Sequence, residues 1–336
     1  MADTRLIHVD DSLPGIGRER LADGWRYRDA QGRLIRDRDE IRRLNAIALP
    51  PAYEDAWFCP AQNGHILATG YDARGRKQYR YHPEFRLARD ADKYDRCATF
   101  GHALPLLRAR LQEDLARRTL CQERIVGAVV RLLDLAALRV GNEEYAAANN
   151  SFGATTLRQR HARLSGKTLR LSYRAKGGAK REVTVSDRNL ATLVRRLQDL
   201  PGQNLFQYQD PDGLCAVSSD DVNAYIRDAM GGDFSAKHFR TWSASVEAFT
   251  FLYDAAEPPT LKAMLAHVAD RLGNTPAVAR KAYVHPAMIA AAQERGDFAA
   301  AAGPLPRATK YLSRYERGFL ACLERAPDAA ALLRSA

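Results

Sequence analysis

The sequence predicts an α+β protein in two parts: a small β-rich domain over residues 1–88 and a larger, mainly helical domain over residues 89–336 that carries a β-hairpin. Three observations predict it. Up to about residue 85 the chain is rich in turns and short apolar runs, and from about residue 90 it changes to long helical patterns. Within the helical part, Leu169–Tyr173 and Glu182–Val185 alternate on either side of a glycine turn, the pattern of a hairpin. With 336 residues, 46% of them hydrophobic, the chain is long and apolar enough for two cores and is not a disordered polymer.

Taken in order, Gly24–Arg28 and Arg33–Ile35 flank the turn residues Asp29-Ala30-Gln31-Gly32 and read as a hairpin. A short helix is expected over Asp39–Leu44, stopped before Pro50-Pro51, with further strands at Trp57-Phe58 and His65–Thr69. The first domain ends in Arg74-Gly75-Arg76-Lys77-Gln78-Tyr79-Arg80-Tyr81-His82, where cations, aromatics and a glutamine interleave. Such a mixture can hold phosphates through Arg76, Lys77 and Arg80 while Gln78, Tyr79 and Tyr81 reach sugars or base edges. It is equally the composition of a charged edge strand.

Leu104–Leu120 is amphipathic, and Ile125–Leu138 is almost continuously apolar, a buried helix delivering Arg139 at its C-terminal end. A charge cap on the helix dipole is the plain alternative for that arginine. Residues 158–181 hold nine Lys or Arg and no acid, with Lys176 at the hairpin tip. A solvated tip is the common case, but the missing acids favour a phosphate partner. Asp187 opens a helix to Leu200, Ser218 or Ser219 one to about Met230, and Ser235 one over Ala236–Tyr253. Lys237, His238 and Arg240 fall in the first turns of the last. Cations at a helix N-terminus work against the dipole, yet they suit an anion bound there. Helices follow over Pro259–Leu272, Pro286 to about Arg295, and Ala308 to about Arg325, with a linker at Ala299–Pro304.

Lys plus Arg number 51 against 40 Asp plus Glu, a net charge of +11, which favours a polyanionic partner. No apolar run approaches the ~20 residues of a membrane span, and the N-terminus has no apolar signal region. Five scattered cysteines without a CxxC pair fit a reducing cytoplasm and no structural metal. Neither a Walker A loop nor an HExxH or EF-hand motif occurs. No cofactor and no metal are expected, so side chains must carry any chemistry.

Thr275-Pro276 starts a short helix that Pro286 stops at His285. Tyr283 stands near its end beside Arg280 and Lys281. A free phenol is a poor nucleophile with a pKa of about 10, and an ordinary half-buried tyrosine is the bland alternative. Arg139, Lys176, Arg240, Asn274 and Tyr283 nevertheless form a set suited to phosphodiester chemistry. Two arginines can clamp the non-bridging oxygens, a lysine can protonate a leaving oxygen, and an asparagine can donate one more bond.

Arg139-Val140-Gly141-Asn142-Glu143, the Lys176 hairpin, Lys237–Trp242 and Asn274–Pro286 together resemble type IB DNA topoisomerases, most closely the poxvirus-like subfamily of bacteria. Gly70–Tyr81 is similar to the family's DNA-contacting β-domain. The resemblance covers most of the chain, fading before residue 15 and after about 290. It implies attack by Tyr283 on duplex DNA, a 3′-phosphotyrosyl link, strand rotation relaxing supercoils of either sign, and religation without ATP or metal. It further implies that Arg139 and Arg240 hold the scissile phosphate, that Lys176 is the general acid, and that a monomer closes as a clamp, nucleoid-associated in the cytoplasm. One departure is Asn274, where the poxviral and eukaryotic pattern has histidine. A tyrosine recombinase, with a similar residue set, and a non-enzymatic duplex-binding protein are the competing readings.

Overall fold

The computed structural model describes residues 5–294 and 296–335. The first residues of the chain, on which the signal-peptide reading rests, and Arg295, the expected end of one helix, lie outside the described residues. The chain divides into two compact units, one ending at Asp92 and one beginning at Lys93.

In the first unit, β1 (Ile16–Leu21), β2 (Gly24–Arg28), β3 (Glu54–Phe58), β4 (Ile66–Tyr71) and β5 (Lys77–Tyr81) form one antiparallel sheet in the order β2-β1-β3-β4-β5, with α1 (Arg38–Ala46) between β2 and β3. Ile16, Tyr27, Phe58 and Ala68 meet Leu44 of the helix in a small core. The expected turn at residues 29–32 is present, but the segment after it makes only a bridge, Arg28 with Leu34. The true partner of β2 is β1, whose alternation is hidden by Gly17, Arg18 and Arg20.

Helix α2 (Pro83–Ala116) runs across this division, much longer than the amphipathic segment expected from Leu104, with Pro105 inside it. An interior proline normally ends a helix, which is why the sequence concealed its length. Helix α3 (Gln122–Ala136) is buried along most of its length and packs against α6, α7, β8 and β9. The elements around it are α4 (Glu143–Asn149), the three-stranded sheet β6 (Ala162–Ser165), β7 (Thr168–Arg174), β8 (Lys180–Ser186), then α5 (Arg188–Gln198), the pair β9 (Gln207–Asp210) and β10 (Gly213–Ala216), and α6 (Ser219–Met230). There follow α7 (Ala236–Tyr253), α8 (Leu261–Leu272), α9 (Pro276–Ala282), α10 (Pro286–Glu294), α11 (Phe298–Ala302), α12 (Arg314–Arg325) and α13 (Ala329–Ser335). The fold is thus a small β-rich unit and a larger helical one carrying the hairpin β7–β8. The linker expected at Ala299–Ala302 is helical, and α12 begins at Arg314 because Ser313 and Glu316 form a capping box.

Arg139 is not a helix cap. Ala137 takes a left-handed conformation (φ 48°) that ends α3, and residues 138–142 lead without regular structure to α4, so that Arg139 and Val140 pass beside residues 153–155. The carbonyls of Arg139 and Val140 accept the Ala154 and Thr155 N–H groups at 2.8 and 2.7 Å. This crossing is possible only because two glycines meet there. A Cβ on Gly153 would stand 2.5 Å from the Gly141 nitrogen and 2.7 Å from the Arg139 oxygen, and Gly141 has φ +103°. Gly153→Ala is therefore expected to cost about 1–3 kcal/mol, as overpacking does, read as a lower urea midpoint, and to disturb Arg139 more than the rest of the unit.

Candidate active site

The side chains of the site are set by local caps together with hydrogen bonds from distant elements. Thr275 accepts the Val278 N–H and Pro276 fills the first helical position, so α9 is only Pro276–Ala282 and Tyr283 forms its C-cap. Ser245 of α7 then ties down the backbone at Tyr283. Its hydroxyl donates to the Thr241 carbonyl at 2.7 Å and the Tyr283 carbonyl at 3.3 Å, and accepts the His285 N–H at 3.0 Å. His285 is buried; its Nδ1 accepts the Ala287 N–H at 3.1 Å, and its ring meets Tyr94 edge-on at 5.4 Å. Burial holds its pKa down at about 4. It starts α10 and supports the fold.

Arg240, on the second turn of α7, is buried and donates to the Ala137 carbonyl at the end of α3 and to the Leu272 carbonyl at the end of α8, the latter at 3.3 Å. Its guanidinium lies 4.7 Å from the centroid of the Tyr283 ring. Arg139 Nη2 donates to Asn274 Oδ1 at 2.7 Å. A guanidinium can only donate, so this bond fixes the amide with Nδ2 turned the other way. Asn274 Nδ2 and Arg240 Nε are both buried and have no hydrogen-bond partner among the described residues. Arg139, Lys176, Asn274 and Tyr283 line one open cleft of about 960 Å³. Lys176 stands exposed at its rim on the turn between β7 and β8.

Two phenols share this neighbourhood, and their surroundings separate them. Burial raises the Tyr283 pKa, but the charges and donor groups of Arg240 and Arg139 outweigh it, and the net shift is downward. Tyr173, buried under the hairpin, is pushed up by desolvation, which Arg181, Arg240 and Arg139 do not offset. Only Tyr283 is eased toward the phenolate.

Of the predicted residues, the structure gathers Arg139, Arg240, Asn274 and Tyr283, with Lys176 at the edge. Arg280 and Lys281 are exposed on α9, and Lys237 is exposed at the start of α7. His238 is largely taken up by the fold: its Nδ1 accepts the Ser235 N–H at 3.0 Å and its ring stacks on Phe100 at 5.8 Å. In the first unit Asp72 takes the Arg76 guanidinium at 2.7 Å and the Gln78 amide at 3.0 Å, and Lys77 pairs with Asp11 at 2.7 Å. The Arg76 guanidinium, with the Arg76 and Arg74 backbone N–H groups, holds the Asp72 carboxyl down at about 2. Arg80 donates to the Ala48 carbonyl at 2.9 Å, while Tyr79 and Tyr81 are exposed and stacked at 5.7 Å on the edge strand β5.

Sequence reasoning missed two supporting residues. Arg181 donates to the Asp270 and Arg271 carbonyls and so joins β8 to the end of α8. Its place in the basic stretch was visible, but its partners were not. Ser245 carried no signal at all.

Residues 82–298 match the family model described as eukaryotic DNA topoisomerase I, catalytic core, and residues 24–72 match that of the bacterial DNA topoisomerase IB N-terminal domain. The chain belongs to the type IB DNA topoisomerases. It is 29% identical over 287 residues to DNA topoisomerase 1B of Acanthamoeba polyphaga mimivirus, covering 81% of this chain and 85% of that one. With DNA topoisomerase 1 of Mycosarcoma maydis it shares 26% identity over 222 residues, 59% of this chain but 22% of that larger protein. Of the readings that the sequence left open, the topoisomerase is therefore the one that holds, and the chain is an enzyme acting on DNA.

Two outcomes follow from the site. Ser245→Ala leaves the buried His285 N–H unpaired, a loss of about 1–3 kcal/mol, and frees the Tyr283 backbone. Single-turnover DNA cleavage should fall more than DNA binding, and equal losses would mean that Ser245 supports only the fold. The second concerns pH. His285 unfolded has a pKa of about 6.5, so between that value and its folded value of about 4 the unfolded chain binds the extra proton. Its contribution is complete above about pH 6.5 and is lost as pH falls toward 4, about 3 kcal/mol in all. Urea midpoints across that range should fall with acid, and less steeply for His285→Asn, which keeps an acceptor for Ala287.

Proposed function

We propose that Tyr283 is the nucleophile of a reaction that relaxes positive and negative supercoils without ATP or metal. The phenol oxygen bonds to a backbone phosphorus as the bond from phosphorus to the 5′ oxygen breaks. The phenolic proton leaves to solvent, and Lys176 supplies a proton to the departing 5′ oxygen. The products are a 3′-phosphotyrosyl link and a free 5′-hydroxyl strand, which rotates and then attacks in reverse to reseal the duplex. Arg139 and Arg240 hold the two non-bridging oxygens, and Asn274 donates through Nδ2.

The observation that carries this reading is the set of donors around one phenol: two guanidiniums, and two buried N–H groups left without protein partners. Donors already in place where charge develops are typically worth about 2.7–4 kcal/mol each. Asparagine in place of histidine keeps the donor and removes a titrating group. The N-terminal unit is read as a second grip on the duplex through Arg76, Lys77, Gln78, Tyr79, Arg80 and Tyr81, the clamp that the family likeness implies. Lys237, His238, Arg280 and Lys281 are read as further DNA contacts of a monomer acting in the cytoplasm on the nucleoid. Among the described residues no helix is long and apolar enough to cross a membrane.

Relaxation of supercoiled plasmid in EDTA without ATP, stopped with detergent, tests the reading. Wild type should relax the plasmid and leave a covalent protein–DNA adduct, and Tyr283→Phe should do neither. Adduct formation by Tyr283→Phe would move the nucleophile elsewhere, and a need for added metal would overturn the proposed chemistry. Asn274→Ala should keep measurable cleavage, slowed by up to about 10²–10³-fold; loss as complete as that of Tyr283→Phe would give it a larger role.

A further inference from the structure

The three-stranded sheet β6–β7–β8 has one buried face, made by Leu169, Leu171, Tyr173, Val183 and Val185. Its other face is exposed and pairs like with like. Arg163 of β6 stands directly opposite Arg170 of β7, and Arg174 of β7 directly opposite Lys180 of β8. Side chains so placed have Cβ atoms about 4.5–5.5 Å apart, and like charges there destabilise the sheet. Arg160 adds a further cation, and with Arg163, Arg170 and Lys180 it lines a surface cavity of about 500 Å³. The acid on this face is Glu182, which is paired with Lys180. Arg160, Arg163 and Arg170 have no ion pair or side-chain hydrogen bond among the described residues. None of these three is needed by the chemistry at Tyr283.

The Arg163–Arg170 pair, with Arg160 beside it, costs stability and holds no carboxylate, and so calls for an anion from outside. Two features say which. Lys180 and Glu182 line both this cavity and the cleft that holds Tyr283, so the basic face runs on from the active site without a break. From Lys180 to Thr184, the partner of Arg170, is four residues of strand, about 14 Å at 3.4 Å each. That equals about four base pairs of duplex.

We propose that this outer sheet face is a second phosphate-binding surface, and that its occupant is the same duplex whose scissile phosphate lies at Tyr283, gripped further along, with Arg163 and Arg170 about four base pairs beyond Lys180. The proposal rests on the reading of Tyr283 as the nucleophile. The contacts are to phosphates and carry no sequence information. They add affinity at the expense of fold stability.

The test is the double variant Arg163→Ala/Arg170→Ala, with Arg163→Gln/Arg170→Gln as its companion should the first be poorly folded. Binding is measured over a salt series with two duplexes containing one cleavage position mapped with the wild-type protein. One duplex is cut to a few base pairs on either side, and the other is extended by about one helical turn on both sides. Without DNA the variant should melt no lower than wild type, because a like-charge pair has been relieved. On the long duplex its affinity should fall about tenfold and the slope of log K against log salt should become shallower by about 2, two phosphates' worth. On the short duplex the affinity should change less than twofold. Equal losses on both duplexes, or an unchanged slope on the long one, would overturn the proposal. So would a variant that binds a single long duplex normally but no longer bridges two, since the occupant would then be a second duplex. Formation of covalent adduct by the wild type is scored separately; its absence would refute the nucleophile reading and would leave the length-dependent binding result to be judged alone.

Discussion

The active site depends on how the protein buries positive charge without cancelling it. Arg240 lies under the surface, held by carbonyls at the ends of α3 and α8. Helix C-termini carry partial negative charge, enough to orient a guanidinium but short of the full charge of a carboxylate. Arg181 is held in the same way by two carbonyls of α8, and Arg139 by the Asn274 amide oxygen. All three sit on neutral oxygens. Burial holds the pKa values of Arg240 and Arg181 below the ordinary arginine value, the sign of cations short of counter-charge. Arg108, by contrast, is clasped by Asp134 and Glu316, and although burial alone would lower it these carboxylates push it up. Arg108 is a structural rivet between α2, α3 and α12. The other three have no carboxylate partner among the described residues.

The same economy explains why one tyrosine among fourteen can be singled out. Tyr173 and Tyr283 both feel Arg139 and Arg240, yet Tyr173 is buried under the hairpin and Tyr283 opens on the cleft. When environments drive two like groups apart, their roles separate with them. Position is then fixed by the backbone. A helix of seven residues, a proline three positions after Tyr283, and one buried serine leave the Tyr283 main chain little freedom.

Much of this was legible in the sequence where local chemistry decides. Thr275-Pro276 and Ser235 marked the starts of α9 and α7, and the glycine turn marked the β7–β8 hairpin, because caps and turns are set by residues only a few positions apart. What stayed hidden depends on contacts across long separations. The support of Arg139 comes from Gly153, fourteen residues on from it, and the support of Tyr283 comes from Ser245 on another helix. Pro105 masked the length of α2, and Gly17 with two arginines masked β1. The start of α12 is a different case. Ser313 and Glu316 spell a capping box, a signal that was present and was overridden by the apolar pattern before it.

Charge pairing also separates the basic regions that composition lumps together. In the first unit Arg76 and Lys77 already hold acids, but these are partly exposed pairs, and such pairs contribute only about 0–1 kcal/mol. Such pairs exchange partners at little cost. They hold the β4–β5 turn, with Asp72 accepting from the Arg74 and Arg76 backbone as well as from two side chains. Beside them Tyr79 and Tyr81 present a stacked, rigid pair of rings that needs no ordering to meet a sugar or base. In the second unit Arg139, Arg181 and Arg240 sit on neutral oxygens and Arg163 faces Arg170 without an acid, while Arg108 and Lys180 are paired with carboxylates. A surplus of +11 is therefore not one field but two arrangements: a set of exchangeable ion pairs on an edge strand, and a set of buried or crowded cations whose charge the protein itself never satisfies. The second kind is costly to fold, and it is found around Tyr283 and on the outer face of the β6–β7–β8 sheet.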